Sequence, residues 1–315
     1  MAPMQRRALL GTALLALAGC QTVPAPAPAP PAAPAPVPGG PVPGPSPAAP
    51  APLRPPRLGL ALGGGAARGF AHIGVIQVLE EAGIRPDLVV GTSAGSLVAA
   101  LYAHGKTGTE LAAMALTMDE AAITDWGFPS RGLIRGEALA RYVREQTGGL
   151  PIEQMKLPLG IVATDLDSGA GVLFRRGDTG TAVRASSSVP AVFQPVKIGE
   201  REYVDGGLVS PVPVRYAREM GAEMVIGVDI STPPDGAATD GTMRLLLQTF
   251  AIMGKSINRY ELREADVVLR PALVGVGSAD FTARVRAIRA GRETAQAQLG
   301  EIRRKLQQLA RPAAG

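Results

Sequence analysis

The stretch "DLVVGTSAGS" (87–96) runs from apolar residues straight into a serine, Ser93, with Gly91 and Gly95 two positions to either side. That G-x-S-x-G spacing is the pattern of a nucleophile elbow, a sharp strand-to-helix turn that leaves Oγ exposed at the start of a helix. There the helix dipole favours the negative charge that develops on an attacking oxygen. Side chains at the flanking positions would collide with the packed strand and helix, so both are expected to be glycine. A structural Gly-Ser turn has the same letters, and only a strand before it and a helix after it separate the two readings.

A second glycine cluster, "GGGAARG" (63–69), also follows an apolar run and opens a helical pattern. Consecutive glycines at a helix start present backbone N–H groups to an anion. The dinucleotide fingerprint G-x-G-x-x-G fails, because the sixth position from Gly63 is Arg68 and the third from Gly64 is Ala66. No G-K-[S/T] ending follows either, so a phosphate loop is excluded. What remains is an oxyanion hole for a tetrahedral intermediate. Arg68 either adds fixed positive charge there or pairs with a carboxylate to brace the loop, and bracing is the preferred reading.

A serine nucleophile needs a base, normally a histidine. The chain has two, His72 and His104. At about 1.5 Å per residue along a helix, His104 lies about 16 Å from Ser93, out of reach. His72 stands one turn into the first helix and reads as a packing or loop-bracing residue. A carboxylate must therefore serve. Asp205 in "YVDGG" (203–207) ends a strand at a turn made permissive by Gly206 and Gly207. The same letters describe an ordinary Asp-Gly turn. Asp165, Asp167 and Asp229 also lie at strand ends, and spacing alone leaves the base open among the four.

The elements that must position these residues alternate. Strands are predicted at 57–62, 87–90, 157–166, 170–177, 201–207, 223–230 and 266–271. Helices are predicted at 70–83, 94–105, 109–119, 136–147, 179–188, 213–220, 242–263 and 283–309. This order argues for an α/β fold, a three-layer sandwich with a mostly parallel central sheet. Ligands of such sheets bind beyond the carboxyl ends of the strands, where Ser93 falls. "AAITDWGFPSRGLI" (121–134), with Trp126 and Phe128, reads as core packing, with a mobile flap as the alternative. The last helix has an arginine-rich face that reads as packing on its own domain rather than on anionic lipid.

Three blocks in this order, "GGGAARGFAHIGVI", "GTSAGS" and "DGG", resemble the patatin-like phospholipase family in its bacterial branch. "RGLIRGEAL", "ATDLDSG" and "ASSSVPAVFQPVKIGEREYVDGGLVSPVPV" extend the resemblance over roughly 57–270. It implies a serine lipid acyl hydrolase with a Ser–Asp dyad: Ser93 as nucleophile and Asp205 as general base. The oxyanion role falls to Gly63, Gly64, Gly65 and Ala66, with no cofactor and no metal. One extra residue separates Gly65 from Gly69 relative to the loop as it is often written. The implied substrate is a phospholipid or other acyl ester. The alternative is a catalytically silent envelope lipoprotein that binds lipid or a protein partner.

The N-terminus sets the expected location. "MAPMQRR" is basic, "ALLGTALLALA" is apolar, and "LAGC" resembles a bacterial lipobox ending at Cys20, the only cysteine of the chain. Residues 1–19 read as a signal peptide and Cys20 as the lipidated first mature residue. An Ala/Pro-rich tether fills 20–56, spanning up to about 100 Å at about 3.1 Å per residue. The catalytic domain is expected over 57–271, with a C-terminal helical extension over 272–315 packed on or beside it. This organisation predicts a lipid-anchored protein of the cell envelope, at the outer membrane. A net charge of +5 over 315 residues is too mild for a nucleic-acid partner.

Overall fold

The computed structural model describes residues 53–312 apart from 120–122, 126–130, 232–240 and 278, together with Ala25, Pro28 and Pro31, which are exposed and without regular structure. The chain divides into two units, Met1–Pro50 and Ala51–Gly315, and the second is the folded one described below. The expected signal peptide, Cys20, nearly all of the tether, Trp126 and Phe128 lie outside the described residues.

In chain order the elements are β1 (Leu53–Arg54), β2 (Leu58–Leu62), α1 (Phe70–Glu81), β3 (Leu88–Thr92), α2 (Ala94–His104), α3 (Gly108–Thr117), β4 (Gly132–Ile134) and α4 (Glu137–Gln146). There follow β5 (Leu159–Asp165), β6 (Gly171–Phe174), α5 (Thr179–Ser186), β7 (Ala191–Phe193), β8 (Val196–Ile198), β9 (Arg201–Asp205) and α6 (Val214–Glu219). The last elements are β10 (Met224–Val228), α7 (Thr242–Glu261), β11 (Val267–Leu269), α8 (Arg284–Gln308) and β12 (Arg311–Pro312). Every long element expected from the sequence is present. The unanticipated β1, β4, β7, β8 and β12 have two or three residues each, too few for a period of two to show.

The main sheet has the order β11-β10-β2-β3-β5-β9-β8, with β6 also on β5. From β11 to β5 all pairs are parallel. β6 and β9 run antiparallel to β5, and β8 antiparallel to β9. The parallel strands read as continuous apolar runs because both faces are covered. Leu58, Leu60 and Leu62 of β2 pack under α1, α2 and α8. Ala61 faces the other way, toward Val214, Ala217 and Met220 on and beside α6. The result is an α/β three-layer sandwich around a mostly parallel sheet. No helix among the described residues is long and apolar enough to cross a membrane.

β5 has two edges and three neighbours. β3 pairs with it from Leu159 to Val162, the last pair being Thr92 opposite Val162. β9 pairs with Ala163 to Asp165, starting with Asp205 opposite Ala163. β6 overlaps both stretches, covering Ile161 to Thr164. It must therefore hold one edge while β3 and β9 share the other in succession.

The C-terminal helix α8 packs on α1 backbone to backbone. A Cβ on Gly74 would stand 2.0 Å from the Ile288 carbonyl oxygen, and one on Gly291 would stand 2.0 Å from that of Ala71. Much of the arginine face is spent inside the domain: Arg292 pairs with Glu81 at 2.7 Å, and Arg284 donates to the carbonyls of Ala115 and Met118.

The two glycines of α8 provide a matched test. A Cβ at exposed Gly300 meets nothing within 4 Å. Gly300→Ala should gain up to about 1 kcal/mol of helix propensity. Gly291→Ala should lose about 1–3 kcal/mol to overpacking and melt lower by several degrees in a thermal scan. Equal melting of the two variants would contradict the close helix crossing.

Candidate active site

Ser93 is the hinge between β3 and α2. Its backbone has φ 53° and ψ −127°, in the left-handed half of conformational space that a non-glycine residue seldom enters. Such a conformation costs about 1–3 kcal/mol and persists only where its surroundings enforce it. Here they do. A Cβ on Gly91 would lie 2.4 Å from the Gly95 carbonyl oxygen, and one on Gly95 would lie 2.1 Å from that of Leu62. Both glycines of the elbow are thus demanded by contact, as the sequence predicts. The Ser93 N–H donates to Ser186 Oγ at 2.9 Å, and that hydroxyl donates to the Val162 carbonyl at 2.6 Å. The elbow is tied to α5 and to β5 through one side chain.

The strand succession on β5 delivers the carboxylate. Asp205 enters register immediately beyond Thr92, so it arrives where the chain leaves β3 for Ser93. Gly206 follows because a Cβ there would stand 2.2 Å from the Val162 carbonyl oxygen. Thr92 Oγ1 donates to the Ser210 carbonyl at 2.9 Å, and Thr164 Oγ1 donates to that of Asp205 at 2.8 Å, closing the seam.

The Asp205 side chain is 6% exposed. Oδ1 accepts the Gly207 N–H at 2.7 Å. Oδ2 is buried without a hydrogen-bond partner. Burial pushes the carboxyl up to about 6, while the nearby Ser93 side chain and the Gly207 N–H hold it lower than burial alone would. Serine and carboxylate stand close in this resting state without a well-formed hydrogen bond between them. Of the other carboxylates expected at strand ends, Asp167 lies exposed in the turn beyond β5, and Asp165 and Asp229 are committed elsewhere. Asp165 pairs with Arg201 at 2.6 Å, which with the Ser168 contacts holds it down at about 2. Asp229 accepts from Ser231 Oγ at 2.6 Å and faces Arg270 at 3.5 Å.

In the glycine loop, the Gly63 N–H donates to the Val228 carbonyl at 3.1 Å and the Gly64 N–H to that of Pro211 at 2.9 Å. Those two amides are already engaged, so they hold the loop in place rather than facing an anion as expected. The Gly65 and Ala66 N–H groups have no acceptor among the described residues. Ala66 sits at φ 49° and opens a short 3₁₀ turn, Ala66–Gly69, which leads into α1. His72 is fully buried, and its Nε2–H donates to the Gly63 carbonyl at 2.8 Å. Burial lowers it to about 4, so it stays neutral and braces the loop.

Arg68 departs from expectation. It is buried but forms no ion pair among the described residues, and its Nε lacks any partner. Asp229 is the carboxylate whose charge reaches it, and burial lowers its pKa.

Two cavities meet at Ser93. One, of about 320 Å³, runs among Phe70, Leu97, Leu101, Leu111, Met114 and Phe193 and is almost wholly apolar. The other, of about 520 Å³, is lined by Gly64, Gly65, Ala66, Ser93 and Asp205 and roofed by Arg244, Gln248 and Ala251 of α7. Ile123 and Thr124, at the start of the expected flap, line the apolar cavity. No His/Cys/Asp/Glu cluster able to hold a metal occurs among the described residues. Sequence reasoning missed Ser186, Thr164 and Ser210. The block "ASSSVP" contains Ser186, but nothing in its spacing says which hydroxyl holds the elbow.

The raised carboxyl has a measurable cost. A folded-state pKa of about 6 against an unfolded value of 3.8 means the neutral carboxyl stabilises the fold at low pH. That contribution is lost as pH rises through about 6, amounting to about 3 kcal/mol by pH 8. Asp205→Asn keeps an acceptor for the Gly207 N–H and carries no charge. It should melt above wild type at pH 8, with the difference vanishing towards pH 4. Identical melting at pH 8 would show that burial does not strain this carboxyl.

A family model described as Patatin-like phospholipase matches residues 60–218. An uncharacterized NTE family protein of Mycobacterium tuberculosis is 38% identical over 188 residues, covering 59% of this chain and 52% of that one. A second from the same organism is 32% identical over 269 residues, covering 77% of this chain and 46% of the relative. Patatin-like phospholipase domain-containing protein 6 of Mus musculus is 35% identical over 184 residues, 56% of this chain and 14% of its own length. The chain thus spans about half the length of the mycobacterial relatives it matches. VipD from Legionella pneumophila superposes with a TM-score of 0.50 at 14% identity, over 77% of this chain and 66% of that one, a likeness of fold. With the family match reaching over half of its residues and enclosing Ser93, the glycine loop and Asp205, the chain belongs to the patatin-like phospholipase family.

Proposed function

We propose that this chain is a serine lipid acyl hydrolase of the phospholipase A or esterase type, working through a Ser93–Asp205 dyad. The observation that carries the reading is the position of Ser93. A strained, nearly buried hydroxyl stands where a narrow apolar cavity meets a wider cleft, beside a buried carboxylate with one unsatisfied oxygen. An acyl chain suits the first cavity, at about 0.8 kcal/mol per buried methylene. The alcohol portion of the ester suits the second.

In this mechanism Asp205 removes the Ser93 proton as Oγ attacks the ester carbonyl. The carbonyl oxygen becomes anionic and turns toward the Gly65 and Ala66 N–H groups, each such donor being worth about 100–1000-fold in rate. The protonated Asp205 then returns its proton to the departing alkoxide, and the acyl group stays on Ser93. Water enters, loses its proton to Asp205, and attacks the acyl-enzyme to release the fatty acid. A base with pKa about 6 is better matched to neutral pH than an ordinary aspartate near 3.9. Burial supplies that match in place of an imidazole.

In the same reading Cys20 carries the lipid and 21–56 hold the domain off the membrane. A lipid-binding protein without activity would keep the cavities but have no use for a reactive serine.

A fluorophosphonate probe should label wild type and leave Ser93→Ala unlabelled, as read by in-gel fluorescence. Labelling of both, or of neither, would sink the dyad. Phospholipid hydrolysis should fall at least about 100-fold in Asp205→Asn.

The pH dependence has a definite sign. The base acts ionised, so kcat/KM should fall about tenfold per pH unit below about 6 and level off above it. Glu261, buried against Ser210 and pushed up to about 7, titrates nearby, so the profile should be repeated in Glu261→Gln. A midpoint that moves with Glu261 would transfer the dependence to that residue.

A further inference from the structure

Beside Arg68 of the glycine loop, along the face of α7 that also roofs the Ser93 cleft but nearer the helix C-terminus, lies a third cavity of about 860 Å³ whose chemistry the hydrolase reading does not use. Among the described residues its walls bring together Arg68, Lys255, Arg259 and Arg270 against a single carboxylate, Asp229. Lys255, Asn258 and Arg259 stand at i, i+3 and i+4 of α7, one face of one helix. Asp229 is already engaged by Ser231 and Arg270. Three cations therefore remain without an ion-pair partner among the described residues.

Two of the lining groups are buried and unsatisfied. Arg68 is 6% exposed with an unpartnered Nε–H, and Asn258 is 4% exposed with neither Nδ2 nor Oδ1 hydrogen-bonded. Buried polar groups are nearly always paired, and each exception calls for an account. A guanidinium taken out of water without a direct ion pair is costly, and the Asp229 charge reaches Arg68 only at a distance. An anion in this cavity supplies what both lack. Arg68 and Asn258 supply buried donors to the cavity, and Lys255 and Arg259 are exposed at it. Asn258 Oδ1 asks in addition for a donor on the ligand.

We propose that this cavity is a binding site for a phosphate group, in which Arg68 and Asn258 form the floor and Lys255 and Arg259 the rim. A phosphomonoester, whose second pKa of about 6 leaves it mostly dianionic at neutral pH, offers P–O⁻ acceptors, and inorganic phosphate offers these together with a P–OH donor. That combination matches the donor-rich floor and the free Oδ1, which a fully ionised carboxylate would not. The phosphate reaches the site either free in solution or on a lipid headgroup. The second route has a physical basis on the same helix: α7 turns Leu245, Ile252, Met253 and Tyr260 outward at spacings of seven and eight, an apolar strip beside the cationic rim. The Arg68 N–H donates to the Gly65 carbonyl at 3.1 Å, so a ligand that grips Arg68 also stiffens the loop carrying the Gly65 and Ala66 amides. The site is separate from Ser93 and Asp205, and it stands or falls independently of the hydrolase reading.

The test uses the full chain and reads binding rather than turnover. Melting is followed in increasing sodium phosphate against sodium chloride of matched ionic strength. In parallel, the protein is sedimented with phosphatidylcholine vesicles carrying either phosphatidic acid or an equal charge of phosphatidylserine. Lys255 and Arg259 are exposed, so Lys255→Ala/Arg259→Ala leaves the core intact. Asn258→Asp, which sets a carboxylate against the anion, is the second variant. Stabilisation by phosphate that weakens at least tenfold in apparent affinity in both variants supports the site and a soluble ligand. No effect of free phosphate, with sedimentation on phosphatidic acid but not phosphatidylserine vesicles that both variants lose, supports the site and a headgroup ligand. Equal sedimentation on both vesicle types, binding unchanged in the variants, or no binding in either arm overturns the proposal.

Discussion

One edge of β5 serves two strands in turn, and the meeting of Ser93 and Asp205 follows from that. β3 occupies the edge as far as Val162 and then departs into the elbow. β9 arrives from the opposite direction and takes the next pair, bringing Asp205 beside Ala163. A parallel strand that leaves and an antiparallel strand that arrives must meet at the same point of the same edge. A serine ending the first and an aspartate ending the second are therefore neighbours, although more than a hundred residues separate them. Gly206 is the condition for this meeting, since any side chain there would enter the Val162 carbonyl.

The electrostatics follow from the same geometry. Asp205 is buried because the sheet continues past it, and burial makes its carboxyl a stronger base than an exposed aspartate. His72, the imidazole beside the glycine loop, is drawn the other way. Its Nε2–H is committed to the Gly63 carbonyl and its charged form is suppressed by burial. The imidazole holds the loop, as its position in the sequence suggests, and the carboxylate is left beside the serine. Stability and chemistry oppose each other at this point, as they often do where backbone strain and a buried titratable group coincide.

Around this centre the lining divides by polarity. The apolar cavity is built from α1, α2 and α3, whose outward residues complete the wall that begins at Ser93. The wider cleft is roofed by α7, a helix with few buried side chains and apolar residues on its outer surface. An apolar slot lies on one side of Ser93, and a helix with few buried side chains lies on the other. The family match encloses the loop, the elbow and Asp205. The cationic cavity behind Arg68 lies largely beyond the matched residues 60–218.

Local pattern was enough to specify much of this. Alternation of strands and helices, the elbow with its two glycines, and the loss of both histidines as bases are consequences of spacing along a few residues, and each could be read without coordinates. Steric demands at Gly91 and Gly95 are local as well, because strand, turn and helix are contiguous there. What spacing could not decide is everything that depends on strands distant in sequence. Spacing left four aspartates open, and only the assembled sheet showed that Asp205 lies beside Ser93 while Asp165 pairs with Arg201. Likewise the loop amides of Gly63 and Gly64 are spent on carbonyls of Val228 and Pro211, and the hydroxyl that steadies the elbow comes from Ser186. Arg68 could not be seen to lack a partner until the whole neighbourhood was assembled. Hydrogen bonds and ion pairs across the sheet are made by residues that the chain brings together only on folding, and no periodicity in the sequence encodes which of several equivalent groups will arrive.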